Sequence, residues 1–466
     1  MLKSGSHIHL MGICGAAMAN LAGMLKDMGY KITGSDQNIY PPMSTQLEEL
    51  GIPIKEGYKK ENLEPKPDLV IVGNVITRNH EEAQALLASD IPYTSLPKVL
   101  GEYVIAERHS IVLAGTHGKT TTASLMAWVA ECCGKTPGFL VGGIPHNFSR
   151  SFCLPQGDWF VIEGDEYDTA FFDKVPKFIH YKPKYVVLTS VEFDHADIYS
   201  DLCEVKLAFK QLVDTIPDNG LLVVNAEDQV AIELASQCQA KVVTYGLNKG
   251  DYSVADRQVL LGRNQFAVVH CGRRVADMAI QLFGPHNTMN ALAVFALALE
   301  MGWPLGDILQ GLASFKGVKR RQEIIGEPRG ITVIEDFAHH PTAVELTLAT
   351  MGERFEGRKV IALFEPRSAT SRRRVFQQDY AQALSLADVA IVARPYDQSK
   401  IAQEERFSSQ DLVASLTERG QKAFVGEDIQ HIIDLLVDQA QPGDVVLIMS
   451  NGSFEGLYSK LLQALA

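Results

Sequence analysis

The run Gly115-Thr116-His117-Gly118-Lys119-Thr120-Thr121 follows a β-branched apolar stretch and leads into an Ala-rich one. A strand, a tight turn and a helix start are predicted. Backbone N–H groups at a helix N-terminus lack intrahelical partners and face outward, so this context cradles phosphate. Lys119, expected on an exposed loop, supplies charge for β and γ oxygens, and the Thr120 hydroxyl can ligate Mg²⁺. The run departs from G-x-x-x-x-G-K-[ST], because Leu113 stands where that pattern has its first glycine. Two acidic segments accompany the loop. Glu163, Asp165, Glu166 and Asp168 end one apolar run, and Glu192, Asp194, His195 and Asp197 end another. Carboxylates this dense repel one another unless a cation or hydrogen-bond donors offset the charge, which points to a metal site. Mg²⁺ on ATP takes only one or two protein carboxylates, so most of these acids must have other jobs.

Three further groups could do chemistry. Gly12-Ile13-Cys14-Gly15 lies between a predicted strand and a helix, with Asp36 at the end of the next strand, where a ribose-binding acid falls. A dinucleotide fingerprint needs glycines at 14 and 17, where the chain has Cys14 and Ala17. A nucleotide diphosphate is therefore expected there rather than NAD, and an oxidoreductase is the remote alternative. In Lys319-Arg320-Arg321 an arginine at a domain junction can reach ATP after closure. His339 and His340 are adjacent, which does not let both face one ion. Arg367-Ser368 ends an apolar run, and a planar guanidinium suits bidentate binding of a substrate carboxylate.

These residues need rigid elements to hold them. A short apolar run, a glycine turn and a helix-spaced stretch restart three times, at His7, Ser110 and after Lys319. That is the signature of βαβ units around parallel sheets. With 466 residues the chain exceeds one core, and an α/β fold of three domains is predicted, over residues 1–107, 108–318 and 319–466. The Gly12 turn and the carboxylate clusters then fall in different domains. Residues 243–283 alternate short apolar runs with Gly, Asn and Asp, which predicts antiparallel hairpins on the central domain. Residues 12–28 and 290–301 are predicted helices. With 43 basic against 56 acidic residues the net charge is -13, giving no global attraction to nucleic acid or an anionic membrane. The seven cysteines form no C-x-x-C pair, and no stretch of 18 uncharged apolar residues occurs, so a cytoplasmic protein without a membrane span is expected.

The chain resembles the Mur ligases along almost its whole length. HLMGICGAAMANLAGMLKDMGYKITGSD looks like the UDP-binding start of that family, GTHGKTTT like its phosphate loop, and GPHNTMNALAV, GVKRRQE and EDFAHHPT like its later motifs. Within the family, EGDEYDTAFFDK, SVEFDHADIY, FEPRS and MSNGSFEG are closer to the branch that joins the tripeptide L-alanyl-γ-D-glutamyl-meso-diaminopimelate whole to UDP-N-acetylmuramate than to the branch that adds L-alanine.

The resemblance implies a Rossmann-like N-terminal domain, a P-loop-like central ATPase and a Rossmann-like C-terminal acceptor domain, with ATP as co-substrate and Mg²⁺ as cofactor. It gives Gly115 to Thr121 to ATP, Thr120, Glu163 and His195 to the metal, and His286 with Asn287 to the adenine. Arg321 and Asp336 would position ATP phosphates, and Lys119, His195 and Arg321 would act in catalysis. Gly12, Gly15 and Asp36 would serve the UDP moiety, and Arg367 with Ser368 the acceptor. Several Mur ligases use a carbamylated lysine in the helix after the D-H motif. Phe209 stands at that position here, with Lys206 and Lys210 out of register, so no carbamate is expected.

Overall fold

The computed structural model describes residues 2–40, 43–148 and 150–466. The first sheet has five parallel strands in the order 54–56, 31–36, 7–11, 69–72, 93–95. Strand His7–Met11 is central and buried from Ile8 onward, and its hydrogen bonds to both neighbours fix where the chain turns at Gly12. The helix that follows covers Ala16–Asp27, starting four residues later than expected. Gly12 has φ +78 and Gly15 is extended, so the glycine segment is a separate turn and not the first helical turn.

The second sheet has ten strands and is centred on His109–Ala114, with Trp159–Gly164 on one side and Tyr185–Leu188 on the other, both parallel. The phosphate-loop helix Lys119–Cys132 springs from the end of the central strand. The hairpins expected over 243–283 are strands Tyr252–Leu260, Arg263–His270 and Arg273–Ile280, which prolong this sheet from one edge. Helix Pro285–Glu300 begins five residues earlier than expected. Gly284 at φ +89 breaks the preceding chain and Pro285 opens the helix, proline being tolerated where the N–H would have no partner. His286 and Asn287 therefore sit in a first helical turn.

The third sheet runs 323–326, 332–336, 445–449, 360–364, 389–393, 422–426 and is parallel except for its first, edge strand. The α/β class and largely parallel sheets expected from sequence are thus observed. Helices cover both faces of this sheet, one core forming around Leu348, Tyr380 and Leu447 and another around Ile361, Ile433 and Leu461. Among the described residues, no helix is long and apolar enough to cross a membrane.

Candidate active site

Three parallel strands of the central sheet, ending at Ala114, Gly164 and Leu188, deliver the phosphate loop and both acidic segments to one edge. Ligands in open α/β sheets bind at this carboxyl end. Gly115 has φ +129, and a Cβ there would lie 2.2 Å from Thr189 Oγ1, so only glycine lets the loop pack against the next strand. Thr189 donates to the His117 carbonyl (2.6 Å), and the Glu192 N–H donates to Thr116 Oγ1 (2.8 Å), pinning the loop from the side.

Lys119 is not the exposed lysine expected from sequence. Its ammonium donates to the Gly115 carbonyl (2.6 Å) and lies 3.1 Å from Glu166, whose side chain is 2% exposed. Burial pushes the Lys119 ammonium down, but Glu166 and Asp165 outweigh it and hold the amine above its usual range. Glu166 also meets His195 Nε2 at 3.2 Å. Burial works against an imidazolium there, yet the Glu166 hydrogen bond and charge prevail and raise His195 above its ordinary value. Glu166 is a member of the legible acidic cluster, but its pairing with two groups from separate strand ends depends on the fold.

Thr120 donates to Glu163 Oε2 (2.9 Å). Burial, and then the charge of Asp165, raises the Glu163 carboxyl above its usual range. Among the described residues its hydrogen-bond partners are neutral, Thr120 and the Gly142 N–H. A half-buried carboxylate beside a hydroxyl, with no cation hydrogen-bonded to it, has the hard-oxygen donors a divalent cation needs. Phe209 packs in the core, stacked on Phe178 at 6.1 Å, while Lys206 and Lys210 pair with Glu233 and Asp214 at the surface.

Two cavities meet this edge. One of ≈ 680 Å³ is lined by His117, Gly118 and Thr121 of the loop, His286, Asn287 and Asn290 of one helix, and Arg321 and Asp336 from the third sheet's side. His286 is held down to about 4, by burial first and then by Arg257 and Arg321. It is a neutral ring whose Nε2 lies 3.1 Å from Gln322 Nε2. Asn287 donates to the Phe283 carbonyl (2.8 Å), and Asn290 donates to Asn287 (3.2 Å). Asn290 was not singled out from sequence; its spacing of one helical turn from Asn287 and His286 was the available signal. Asp336 accepts from the Gln322 and Ala338 N–H groups (2.8 and 2.7 Å), and Arg321 lies 4.6 Å over the Phe337 ring.

The second cavity, ≈ 510 Å³, is lined by Gly12, Gly15 and Asp36 and also by Glu163, Asp165, Tyr167 and Lys177. The Gly12 turn and the carboxylate cluster stem from different sheets, yet both face this one cavity. Asp36 accepts from the Cys14 and Asn38 N–H groups (2.8 and 2.9 Å), so it braces the glycine turn. Lys177 pairs with Asp165 (3.1 Å) and lies 4.0 Å over the Tyr167 ring.

Arg367 and Ser368 line neither cavity. Arg367 pairs with Glu365 (3.2 Å) and stacks 3.9 Å over Tyr396, while Ser368 is hydrogen-bonded to Ser371 (2.9 Å). His339 and His340 diverge. His339 lies 3.9 Å from Asp194, and His340 Nε2 lies 3.2 Å from the Phe193 carbonyl. His340 joins His117 and Glu192 in a group whose ligating atoms all lie within 4.8 Å of one another, so the two histidines have separate partners.

A glycine loop at a helix start and two acidic strand ends meeting at one sheet edge suit a nucleotide-dependent enzyme, and matches to known proteins agree. Residues 7–108 match the Mur ligase family catalytic domain, 113–298 the Mur ligase middle domain, and 320–452 the Mur ligase glutamate ligase domain. The chain is 40% identical, over 98% of each chain, to UDP-N-acetylmuramate--L-alanyl-γ-D-glutamyl-meso-2,6-diaminoheptandioate ligase of Escherichia coli strain K12. The crystal structure of a murein peptide ligase from Psychrobacter arcticus is 36% identical, covers 99% of each chain and superposes with a TM-score of 0.74. That of UDP-N-acetylmuramate-alanine ligase from Thermotoga maritima is 27% identical over 98% of each chain, with a TM-score of 0.82. The chain belongs to the Mur ligase family, ATP-dependent enzymes that form amide bonds.

Proposed function

We propose that this chain joins the tripeptide L-alanyl-γ-D-glutamyl-meso-diaminopimelate to UDP-N-acetylmuramate, converting ATP to ADP and phosphate, in cytoplasmic recycling of cell-wall peptide. The observation that carries the reading is full-length identity of 40% to the Escherichia coli tripeptide ligase, against 27% to the L-alanine ligase of known structure. The higher TM-score of the latter compares backbone superposition alone. Acceptor choice depends on side chains, so identity is the better guide.

We divide the chain near residues 107 and 318 into a UDP-sugar unit, an ATP unit and an acceptor unit. The Gly12 turn faces the ≈ 510 Å³ cavity, the helix start at Ala16 and Ala17 that follows it offers N–H groups for a diphosphate, and Glu163, which lines the same cavity, would meet the lactyl carboxylate. His286, Asn287 and Asn290 hold the base end of ATP in the ≈ 680 Å³ cavity, with Arg321 and Asp336 at its phosphates. The carboxylate attacks the γ-phosphate, ADP leaves, and the tripeptide amine displaces phosphate from the resulting acyl phosphate. Lys119 offsets charge on the transferred group. Thr120, Glu163 and His195 would hold Mg²⁺, which when bound neutralises the β and γ oxygens. The third unit excludes water that would otherwise hydrolyse the acyl phosphate.

Phosphate release from ATP with UDP-N-acetylmuramate should be far faster with the tripeptide than with L-alanine. Preference for L-alanine would return the chain to the biosynthetic branch.

A further inference from the structure

His195 lies in a left-handed backbone conformation, φ +55. That conformation is unfavourable for a residue with a β-carbon and persists only where the surroundings hold it. Part of the support is local, since the His195 N–H donates to Asp194 Oδ1 (2.7 Å). The His195 carbonyl also accepts from the Ile198 and Tyr199 N–H groups (2.8 and 3.0 Å), and further support comes from the third sheet. Thr370 Oγ1 donates to the same Asp194 Oδ1 (2.7 Å) and accepts from the Ala196 N–H (3.3 Å). One hydroxyl thus grips the residues on both sides of His195. Thr370 is 2% exposed and Asp194 7%, so neither bond competes freely with water, and a bond to a buried carboxylate is among the stronger kinds.

The loop that supplies this hydroxyl also carries Arg367. Residues 365–371 leave the strand Val360–Phe364, and Ser368 and Ser371 close them into a turn through paired hydroxyls (2.9 Å). Arg367 is fixed at one end of the turn by Glu365 and Tyr396, and Thr370 docks at the other. On the far side of His195, Nε2 faces Glu166, which in turn faces Lys119. The acceptor loop is therefore linked to the phosphate-loop lysine by Thr370, Asp194, His195 and Glu166 in sequence.

We propose that Thr370 is a positioning residue, whose hydroxyl clamps the backbone around His195 and sets that imidazole for the reaction only when the acceptor unit is docked. The proposal rests on the assignment of His195 to the metal and ATP site made above. Undocking removes two hydrogen bonds from the strained turn and leaves only its local ones, from the His195 N–H to Asp194 and from the Ile198 and Tyr199 N–H groups to the His195 carbonyl. Catalytic competence is then coupled to docking of the loop that meets the acceptor, and ATP is not activated while that unit stands open.

Thr370→Val keeps the shape and removes both bonds, whereas Thr370→Ser keeps them. Two readouts separate positioning from mere packing. Mn²⁺ affinity, followed by the free-ion electron paramagnetic resonance signal with a non-hydrolysable ATP analogue, needs no acceptor. Steady-state ligation gives kcat and the KM for UDP-N-acetylmuramate. Thr370→Val should weaken Mn²⁺ binding and lower kcat by about tenfold or more, with the UDP-sugar KM unchanged, and Thr370→Ser should restore most of both. Thr370→Ala, which leaves room for water, keeps the test decisive if valine unfolds the chain. Wild-type Mn²⁺ affinity and kcat in both the valine and alanine variants would overturn the proposal, as would a serine variant as impaired as valine. Wild-type protein that fails to ligate the tripeptide would count against the function above, and the Mn²⁺ comparison would still decide the role of Thr370.

Discussion

Lys119 is paired with Glu166, and that pairing changes what its loss should do. Removing one partner of a buried pair leaves the other charge uncompensated; here His195 still faces Glu166, which limits the damage. Lys119→Ala should abolish ligation and cost about 1–3 kcal/mol of stability without nucleotide. Adding Glu166→Gln should recover stability and leave activity lost. Chemical denaturation of the single and double variants checks this, and a single variant as stable as wild type would mean that the pair contributes nothing. A second expectation concerns pH. His340 is held down to about 4 from 6.5, by burial first and then by the charge of His117, and His286 to about 4. Both must be neutral in the folded chain, so the unfolded chain binds more protons on the acid side. Their contribution is present in full above pH 6.5 and is lost as pH falls through 6.5 toward 4. A Tm series should show a shallower fall for His340→Asn than for wild type. Parallel curves would remove His340 from the account.

At the scale of elements, the strand ends do the positioning, and close approach of neighbouring loops sets side-chain direction. Gly452 follows the strand Val445–Met449, and a Cβ there would lie 2.2 Å from Arg367 Nε. The obstructed atoms belong to a flexible side chain, so Gly452→Ala should cost about 1 kcal/mol or less and push Arg367 off Tyr396. If Arg367 meets the tripeptide's distal carboxylate, the KM for tripeptide should rise while phosphate release with L-alanine stays constant. Arg367→Lys should act in the same direction through loss of the planar fork. Equal loss with both acceptors would assign Arg367 to the fold. The strand-turn-helix units at His7 and Ser110 were legible because apolar runs broken by glycine have few other solutions. The short strands Gly138–Leu140, Phe152–Cys153 and Glu323–Gly326 were not, being two to four residues long and specified by neighbours distant in sequence. The same holds within the site. The phosphate loop, Glu163 and His195 are local patterns, whereas the turning inward of Lys119 and the docking of Thr370 depend on contacts across 47 and 176 residues.

In the whole molecule, the two outer sheets attach to the central one through unlike contacts. The N-terminal sheet is joined by Ser151 donating to Asn20 (2.9 Å), by Arg150 to Asp27 (3.1 Å), and by Phe152, whose ring lies 2.4 Å from where a Gly23 Cβ would stand. This contact is part apolar and closely fitted, as a permanent interface is. The third sheet's side also has apolar contact, Phe376 facing Phe193 at 6.2 Å, but carries more polar links. Thr342 donates to Glu192 (2.8 Å), His340 meets the Phe193 carbonyl, Thr370 grips Asp194, and Arg257 Nη2 donates to Glu353 Oε2 (2.7 Å) from the central hairpins. Most such polar contacts exchange for water at little net cost, the buried Thr370–Asp194 bond being the costly exception, which fits the opening and closing proposed for this unit. The charge of Arg257 helps hold His286 neutral, and His286 lines the ≈ 680 Å³ cavity proposed for ATP. Arg257→Ala should therefore loosen the docked third unit and weaken ATP binding about fivefold, the equivalent of about 1 kcal/mol for a partly exposed pair. Affinity for UDP-N-acetylmuramate should stay at the wild-type value, because the ≈ 510 Å³ cavity lies between the other two units. Calorimetric titration of each ligand into each protein decides the matter. A matching loss for the UDP-sugar would show that the third unit braces both cavities, and the division between a fixed and a moving half would fail.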